Sequence, residues 1–301
     1  MYHGMINVYK EKGFTSHDVV AKLRGICKQK KIGHTGTLDP DAVGVLPVCL
    51  GCATRLCDML TEKDKEYIAV FRLGIVTDTQ DIAGKVLKEK EVTVSVEEVR
   101  DAIASFLGEQ LQIPPMYSAL KVNGKKLYEL AREGKEIESQ ARPVTFHEIE
   151  ILEENMPEFT IRVNCSKGTY IRTLCHDIGQ KLSCGGTMVS LKRTKVAGFT
   201  IENACTLSQL QSLSDEGKLD TVLVPVEKIF EHLPKISVKE EAMKALLNGN
   251  QLKAEDLTQL SREAVDAKEV RVYGFDERFY GIYGYRRDRK LFCPVKMFFP
   301  E

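Results

Sequence analysis

An aspartate in a glycine-rich loop is the first candidate for chemistry in this sequence. Residues 33–47, GHTGTLDPDAVGVLP, surround Asp39 with three glycines and two prolines. Because Pro40 disfavours the helical region for the residue before it, Asp39 should be extended, with its carboxylate projecting from a stiff loop. An ordinary Asp-Pro turn would explain the same residues. GHTG is also too short and wrongly spaced for a dinucleotide-binding or P-loop fingerprint.

Four other segments carry residues that could complete a site around this loop. They place Tyr67 on a strand (KEYIAVFRLG), Asp81 in a turn (TDTQDIAG), Arg172 at a helix start (CSKGTYIRTL), and Leu191 and Arg193 near a strand (SLKRTKVAGF). Leu191 alone would be explained by core packing. No single segment indicates a function, but the combination and order of all five do.

The segments around these residues show both the helical and the strand period of apolar residues, which predicts a protein of mixed helices and strands. Strands are predicted over residues 66–73 and 143–152, and a switch of apolar parity in the second indicates a bulge or two-sided burial. Helices are predicted after an N-cap at Ser16, after a capping box at Ser95 and Glu98, and from about Tyr170 to Leu182. Without a strict strand–helix–strand repeat, we expect an α+β fold with a mixed, mainly antiparallel sheet.

Two stretches indicate an insertion and a second domain. Residues 114–142 begin with Pro-Pro, contain a Val-Asn-Gly turn signal and are rich in Lys and Glu, which predicts a hairpin and short helix that could close over a ligand. After residue 233 a new pattern begins, with a capping box at Ser237 and Glu240, a helix end at Gly249 and short strands beyond it. We predict a domain over residues 1–232 and a small, mostly β domain over 233–301.

Charge is balanced overall and uneven along the chain. The sequence has 43 basic and 43 acidic residues, so its formal charge is zero. Basic residues cluster in Lys22–Lys31, which has no acidic residue, and again between Arg278 and Lys296. Such clusters are expected for a protein that binds a polyanion, although on charge alone solvated helix faces are the simpler explanation.

Composition and cysteine usage limit the class of protein. No apolar run approaches the roughly 18 residues needed to span a bilayer, and the N-terminus lacks a signal-peptide core, so we expect a cytoplasmic protein that does not bind membranes. Nine scattered cysteines indicate reduced thiols. Cys49 and Cys52 form a C-x-x-C, but no second C-x-x-C follows, so buried thiols are favoured over a zinc site and no metal site is expected.

Taken together, the five motifs resemble those of the bacterial tRNA pseudouridine synthase family that modifies uridine 55 in the TΨC arm. The resemblance covers essentially the whole chain, because the C-terminal region is similar to the family's small PUA-type RNA-binding domain. It implies the pseudouridine synthase fold and a tRNA T-arm substrate. A monomer without a protein partner is expected, and residues 114–142 fall where the family has a mobile thumb.

The resemblance implies that Asp39 is the catalytic aspartate, that Tyr67 stacks on the target base and that Arg172 pairs with Asp39. The reaction breaks the bond from ribose C1′ to uracil N1 and joins C1′ to C5 without redox change or net hydrolysis, so no cofactor is expected. An ionised carboxylate can act as a nucleophile at C1′ or as a base, and the sequence leaves both routes open. A nearby Arg would lower its pKa by about 1 to 3 units.

The remaining implied residues concern RNA binding. The target nucleotide must be flipped out at a cost of a few kcal/mol, of which Tyr67 could recover about 1 to 3 kcal/mol by stacking. The resemblance assigns binding or supporting roles to six more residues: His34 in the space left in the RNA loop, Leu191 at the uracil pocket, Lys10, Arg55 and Arg193 at phosphates or the site, and Asp81 as a second acidic position. Tyr170 is a further candidate for RNA binding. A purely structural histidine remains an alternative for His34.

Two other functions remain open on the sequence alone. A non-catalytic RNA-binding or RNA-folding protein would use the same basic clusters, Tyr67 and PUA-like end. Alternatively, Asp39 and Asp41 share a face of an extended segment, about 6 to 7 Å apart, as an acid and base of a glycoside hydrolase would. Nothing else in the sequence supports sugar hydrolysis.

Overall fold

The computed structural model describes residues 1–118, 120–122, 124–134 and 139–299 of the chain. Its strands are β1 (Gly4–Lys10), β2 (Ile32–His34), β3 (Val43–Leu50), β4 (Lys65–Leu73), β5 (Ile75–Thr77), β6 (Val86–Glu89), β7 (Gly108–Gln112), β8 (Lys121–Val122), β9 (Lys125–Lys126), β10 (Arg142–Asn155), β11 (Glu158–Cys165), β12 (Gly186–Val196), β13 (Phe199–Thr200), β14 (Lys235–Ser237), β15 (Leu252–Lys253), β16 (Val270–Tyr273), β17 (Phe279–Arg286) and β18 (Leu291–Met297). Its α-helices are α1 (Ser16–Ile26), α2 (Cys57–Thr61), α3 (Val96–Ala104), α4 (Leu127–Arg132), α5 (Ile171–Lys181), α6 (Leu207–Asp215), α7 (Met243–Leu247) and α8 (Arg262–Asp266).

A nine-stranded sheet forms the centre of the fold. Its order is β1-β3-β12-β4-β11-β10-β7, with β2 paired to β3 and β13 paired to β12. Among its described pairs, β3 with β12 is parallel and the others are antiparallel. The predicted mixed, mainly antiparallel sheet of an α+β fold is therefore confirmed. Its middle strands β3, β12 and β4 bring together segments that are far apart in the sequence.

The predicted strands and helices of this region follow from side-chain alternation and capping. Along β4 buried positions alternate with partly exposed ones, as expected for a strand covered mainly on one face. The bulge expected in the second strand is confirmed, because the β10–β11 register shifts between Phe146 and Glu148. Ser95 and Glu98 form the predicted capping box of α3, and α5 spans the predicted helix. Helices α3 and α5 contribute to the largest apolar core with β4 and β11.

Two predicted helix caps are wrong. The N-cap of α1 is Thr15, which forms a capping box with Asp18, whereas Ser16 is the first helical residue and turns its hydroxyl inward to Leu38. Ser237 lies in β14, and the 3-10 helix at Glu240–Ala242 has Lys239 as its N-cap without a side-chain hydrogen bond. In both cases the serine that the local pattern assigned to a cap has a different place in the tertiary structure, in a contact with Leu38 or in a strand.

The insertion has the predicted hairpin and short helix in its described part. Strands β8 and β9 pair antiparallel, and α4 follows them directly. Residues 119, 123 and 135–138 of the predicted 114–142 segment lie outside the described residues. The insertion leaves the main sheet at the end of β7 and returns at the start of β10, and these two strands pair with each other.

A second, smaller sheet lies in the C-terminal region. Its order is β14-β16-β17-β18-β15, and an apolar cluster of its own includes Val272, Tyr283 and Phe292. Another cluster joins it to the large sheet, since Ile282 and Phe298 pack with residues of β1 and β3 such as Met5 and Val45. This region has the mostly β character predicted for residues 233–301, of which 300 and 301 lie outside the described part.

Candidate active site

A cleft of about 670 Å³ is lined by parts of β4 and β12, the start of α5, the loop before β3 and the base of the insertion. Six residues predicted for the site line it: Asp39, Tyr67, Tyr170, Arg172, Leu191 and Arg193. The sheet order β3-β12-β4, together with the packing of α5 against β12 and β4, explains why residues so distant in sequence meet here. This cleft is the candidate active site.

Asp39 and Arg172 form an ion pair in the cleft. Arg172 Nε lies 3.0 Å from Asp39 Oδ2, and the arginine side chain is 5% exposed while that of the aspartate is 42% exposed. The rest of the guanidinium is also engaged. Nη1 donates to the carbonyl oxygen of Thr79 at 3.0 Å and lies 3.7 Å from Asp81 Oδ2, and Nη2 donates to the carbonyl oxygen of Tyr117 at 2.8 Å. The buried arginine is thus fixed from several sides and presents one edge to Asp39.

The ionisation of Asp39 differs from the prediction. Burial in the cleft raises the pKa of Asp39 above its usual value, the nearby charge of Asp81 raises it further, and Arg172 and Lys10 oppose the rise without reversing it. Arg172 thus lowers the pKa of Asp39 as expected, but burial outweighs this effect and the net pKa is raised. The sequence identified the charge partner but not how far the folded cleft removes water from the carboxylate.

The loop that carries Asp39 is held from both sides. Lys10 Nζ, on β1, donates to the carbonyl oxygens of Pro40 at 3.0 Å and Ala42 at 2.6 Å. Ser16 Oγ accepts a hydrogen bond from the Leu38 N–H at 2.9 Å. Lys10 is fully buried, so it holds the loop and does not face the cleft, unlike a phosphate ligand.

Arg193 is also an internal residue. Its side chain is 1% exposed, its Nε donates to the carbonyl oxygen of Val45 at 2.7 Å, and its Nη2 donates to that of Gly36 at 3.3 Å. It contacts the hydroxyl of Tyr67, whose pKa is raised by burial. A Cβ on Gly44, at φ +108°, would collide with the Arg193 backbone, so glycine is needed where β3 meets β12. Arg193 therefore supports Tyr67 and the GHTG loop.

His34 lies at the end of β2, outside the residues that line the cleft. Its Nδ1 accepts a hydrogen bond from the Gly36 N–H at 3.3 Å, which puts the proton of the neutral ring on Nε2. Burial, together with smaller effects of the charges of His17 and Arg193, lowers the pKa of His34 to about 4. The two histidine rings meet edge to face at 5.3 Å. His34 is thus a neutral donor close to the Asp39 loop.

Tyr170 is the N-cap of α5 and is held by Gln112, a residue that the sequence did not single out. Gln112, at the end of β7, accepts a hydrogen bond from the Tyr170 N–H at 2.7 Å and donates to the Tyr170 carbonyl oxygen at 3.0 Å. Gln112 is 4% exposed. Its only sequence signal is its place two residues before Pro114-Pro115. Leu191, on the other wall, is 9% exposed and presents an apolar surface to the cleft.

Arg55 lies away from the cleft. It belongs to the 3-10 helix Gly51–Leu56, and its Nη1 donates to the carbonyl oxygen of Met297 at 2.8 Å. This hydrogen bond joins the first part of the chain to β18 of the smaller sheet. Arg55 therefore contributes to the contact between the two sheets.

Three basic residues of the cleft were not singled out from the sequence. Lys65 Nζ donates to the carbonyl oxygen of Thr61 at 2.7 Å, and burial lowers the pKa of Lys65 to about 8. Lys167 forms an ion pair with Glu62, and Arg142 is exposed where the insertion returns to β10. Residue type did not distinguish them from other surface cations, because only the folded sheet places them at the cleft.

The alternative sites predicted from sequence lack structural counterparts in the described ranges. Asp41, the partner of Asp39 in the hydrolase hypothesis, is exposed and is not among the residues that line the cleft. Cys49 and Cys52 are buried thiols. Across residues 1–118, 120–122, 124–134 and 139–299, no group of three or more His, Cys, Asp or Glu side chains is arranged to hold a metal ion. Within the same ranges no helix is both long and apolar enough to cross a membrane.

Comparison with known proteins identifies the relatives of this chain. Residues 24–171 match the TruB family pseudouridylate synthase N-terminal domain, and residues 172–231 match the tRNA pseudouridylate synthase B C-terminal domain. A protein of Lachnoclostridium phytofermentans named tRNA pseudouridine synthase B is 54% identical, over 98% of this chain and 99% of that protein. One of the same name from Clostridium novyi is 47% identical, over 96% and 97%.

Solved structures agree with these sequence matches. A chain of a Cbf5-Nop10-Gar1 complex superposes with a TM-score of 0.74 at 29% identity, covering 99% of this chain and 85% of that one. A chain of the archaeal box H/ACA sRNP Nop10-Cbf5 complex gives a TM-score of 0.72 at 28% identity, covering 99% and 86%. With the cleft and its paired carboxylate, these matches lead to one assignment. This chain belongs to the TruB family of pseudouridylate synthases.

Proposed function

We propose that this chain converts uridine 55 in the T-arm of tRNA to pseudouridine, with Asp39 as the catalytic carboxylate. The observation that carries the proposal is the 3.0 Å pair of Asp39 and the buried Arg172 in a cleft also lined by Tyr67 and Leu191. Relatives named tRNA pseudouridine synthase B support the tRNA substrate.

Asp39 suits the bond exchange at the ribose. The C1′–N1 bond breaks, the uracil turns and C1′ joins C5. The C5 hydrogen leaves as a proton and N1 gains a proton, so atoms and charge balance without a cofactor. Arg172 engages Oδ2 of Asp39, which leaves Oδ1 for the sugar. An ionised oxygen there can attack C1′ or accept a proton, and both routes need the same placement.

The walls of the cleft suit an extruded base. Tyr67 offers a ring on which uracil can stack, worth about 1 to 3 kcal/mol toward the cost of flipping the nucleotide. Leu191 forms the apolar wall, and Tyr170 lies at the start of α5 beside Arg172. His34 with its Nε2 proton would occupy the space left in the RNA loop, as the family resemblance implies.

The rim of the cleft suits the phosphate backbone. Arg142 and Lys167 are exposed cations among the lining residues, and Lys22–Lys31 adds a second basic surface. Lys10, Arg55 and Arg193 donate to backbone carbonyl oxygens of the protein, so Arg142 and Lys167 replace them as the proposed phosphate ligands. Binding should weaken as salt rises, because neutralised phosphates release counterions.

Tritium release from tRNA transcripts carrying 5-tritiated uridine tests the proposal, since forming the C1′–C5 bond must expel the C5 hydrogen. We expect release from wild type and from Asp41→Ala, a matched exposed neighbour, and none from Asp39→Ala. The site of modification should map to the T-loop uridine. Release by Asp39→Ala, or salt-dependent binding by wild type without release, would refute the assignment.

The domain division and physical state complete the proposal. Residues 1–232 form the catalytic domain and 233–301 the PUA-like domain, supported by the separate apolar cluster of the smaller sheet. The family match changes at residue 172, but α5 and β12 beyond it belong with the large sheet. The sequence resemblance supports a cytoplasmic monomer. Light scattering should then give the chain mass of 33.9 kDa.

A further inference from the structure

The base of the insertion is fastened to the first turn of α5 at two points. At the first point, Gln112 satisfies both backbone groups of Tyr170, with hydrogen bonds of 2.7 and 3.0 Å. At the second point, the carbonyl oxygen of Tyr117 accepts a hydrogen bond from Arg172 Nη2 at 2.8 Å. The two anchored residues of α5 are thus Tyr170, which lines the cleft, and the arginine that pairs with Asp39.

The segment between these anchors is stiff. It contains Pro114 and Pro115, which fix their own φ angles and restrict the residues before them. Gln112 is buried at the end of β7, where its backbone pairs with Arg142 of β10 while its side-chain amide binds Tyr170. Both anchors therefore join the base of the insertion to the start of α5 through direct contacts.

Gln112 holds the N-terminal end of α5 from outside the helix. Tyr170 is the N-cap of α5 and provides no side-chain cap hydrogen bond of its own. The Tyr170 N–H donates to Gln112, and the Tyr170 carbonyl oxygen accepts from it. Because Arg172 lies two residues further along, the direction of its side chain depends on how this first turn is held.

We infer that Gln112 is a positioning residue that couples the base of the insertion to the Asp39–Arg172 pair. The inference rests on the proposed role of Asp39 and deepens that role. If RNA contacts the insertion, the contact would act through Gln112 on Arg172 and so on the position of the Asp39 carboxylate. Gln112 does not line the cleft, so it acts through Tyr170 and Arg172 and does not touch the substrate.

The test compares Gln112→Met, which keeps side-chain length and removes both hydrogen bonds, with Gln110→Met. Gln110 lies on the same strand and is partly exposed, and its side-chain amide donates to the Ser105 carbonyl oxygen. For Gln112→Met we expect kcat for tritium release to fall about tenfold or more while KM changes less than about threefold. Gln112→Glu, which keeps the acceptor for the Tyr170 N–H, should lose less.

A second readout does not depend on catalysis. The charged groups that act on Asp39 are Arg172, Asp81 and Lys10. A loosened Arg172 would oppose protonation of Asp39 less, so the carboxyl ¹³C resonance of Asp39 should titrate at higher pH in Gln112→Met than in wild type. Asp39→Asn assigns that resonance. Urea unfolding measures the stability of each variant in parallel.

The outcomes separate this inference from the proposed function. A lower kcat and a higher Asp39 titration point in Gln112→Met, with Gln110→Met like wild type, support the coupling. Lower stability with unchanged kcat and an unchanged Asp39 titration would show that Gln112 only stabilises the helix. That result would overturn the inferred coupling. If wild type releases no tritium, the proposed function fails, and the titration alone then decides whether Gln112 positions the ion pair.

Discussion

Asp81 and Asp39 share one guanidinium. Arg172 Nε lies 3.0 Å from Asp39 Oδ2, and its Nη1 lies 3.7 Å from Asp81 Oδ2. Burial is the largest influence on Asp39 and raises its pKa, Arg172 lowers it, and Asp81 raises it again. The protonation of Asp39 is therefore set by its depth in the cleft and by a second carboxylate that competes for the same cation.

The first prediction concerns the pH dependence of kcat/KM, which reports ionisations of the free enzyme. Activity requires ionised Asp39, so the acidic limb should lie above the ordinary aspartate value of 3.8. Asp81→Asn removes a charge that raises this pKa and leaves Arg172 more available to Asp39. Both effects move the acidic limb to lower pH.

Asp78→Asn is the matched control, because Asp78 lies exposed in the same turn and accepts a hydrogen bond from the Lys85 N–H. Its pH profile should match wild type. An acidic limb that stays in place or moves upward in Asp81→Asn would contradict the shared-guanidinium account.

The second prediction concerns Lys10→Met. Lys10 Nζ donates to the carbonyl oxygens of Pro40 and Ala42 on either side of Asp41, and more weakly to that of Glu11. Leaving a buried carbonyl group without a donor costs roughly 1 to 3 kcal/mol, and the bond to Ala42 is buried while those to Pro40 and Glu11 are partly buried. We expect the free energy of unfolding in urea to fall by about 2 to 4 kcal/mol, and kcat to fall at least about tenfold because the Asp39 loop loosens.

Exposed Lys12 provides the control. Lys12→Met should change both quantities little. A Lys10→Met protein of full stability that has lost only RNA affinity would instead restore the phosphate-binding role that the family resemblance implied.

The sequence predicted several of the residues that line the cleft, but not its basic residues Lys65, Arg142 and Lys167. Asp39, Tyr67, Arg172 and Leu191 were recognisable because their motifs occur in a characteristic order. These residues come together because β12 lies between β3 and β4 and pairs with both. Hydrophobic periodicity alone does not predict that strand order. Local patterns predicted the capping box of α3 and the bulge of β10, because those features are set by neighbouring residues.

The sequence did not reveal which side chains take part in tertiary contacts. The family resemblance placed Lys10 and Arg193 at phosphates or at the site; both are buried, and Arg193 also lines the cleft. Both donate hydrogen bonds to carbonyl groups around the Asp39 and GHTG loops. Ser16 was assigned to a cap, but its hydroxyl meets Leu38. Apart from its place before Pro114-Pro115, Gln112 gave no signal, because its partners are backbone groups 58 residues away.

The third prediction concerns the protonation of His34. Burial lowers its pKa to about 4, below the ordinary 6.5. Between these two values the unfolded chain binds a proton at His34 that the folded chain does not, so His34 lowers the stability of the fold as pH falls from 6.5 to 4. In ¹⁵N NMR the ring should be neutral near pH 7, with the proton on Nε2. Titration of His34 between pH 6 and 7, identified by its loss in His34→Gln, would contradict the buried neutral ring.

The last prediction separates internal cations from those at the rim of the cleft. Arg193→Met removes the donors to the Val45 and Gly36 carbonyl oxygens, so the free energy of unfolding should fall by about 2 to 4 kcal/mol. If Arg193 meets no phosphate, the slope of log affinity for tRNA against log salt should stay at its wild-type value. Arg142→Ala should leave stability unchanged and make the slope shallower by about 0.7 to 0.9, as loss of one phosphate contact requires. A shallower slope in Arg193→Met would mean that its guanidinium reaches the RNA in the complex.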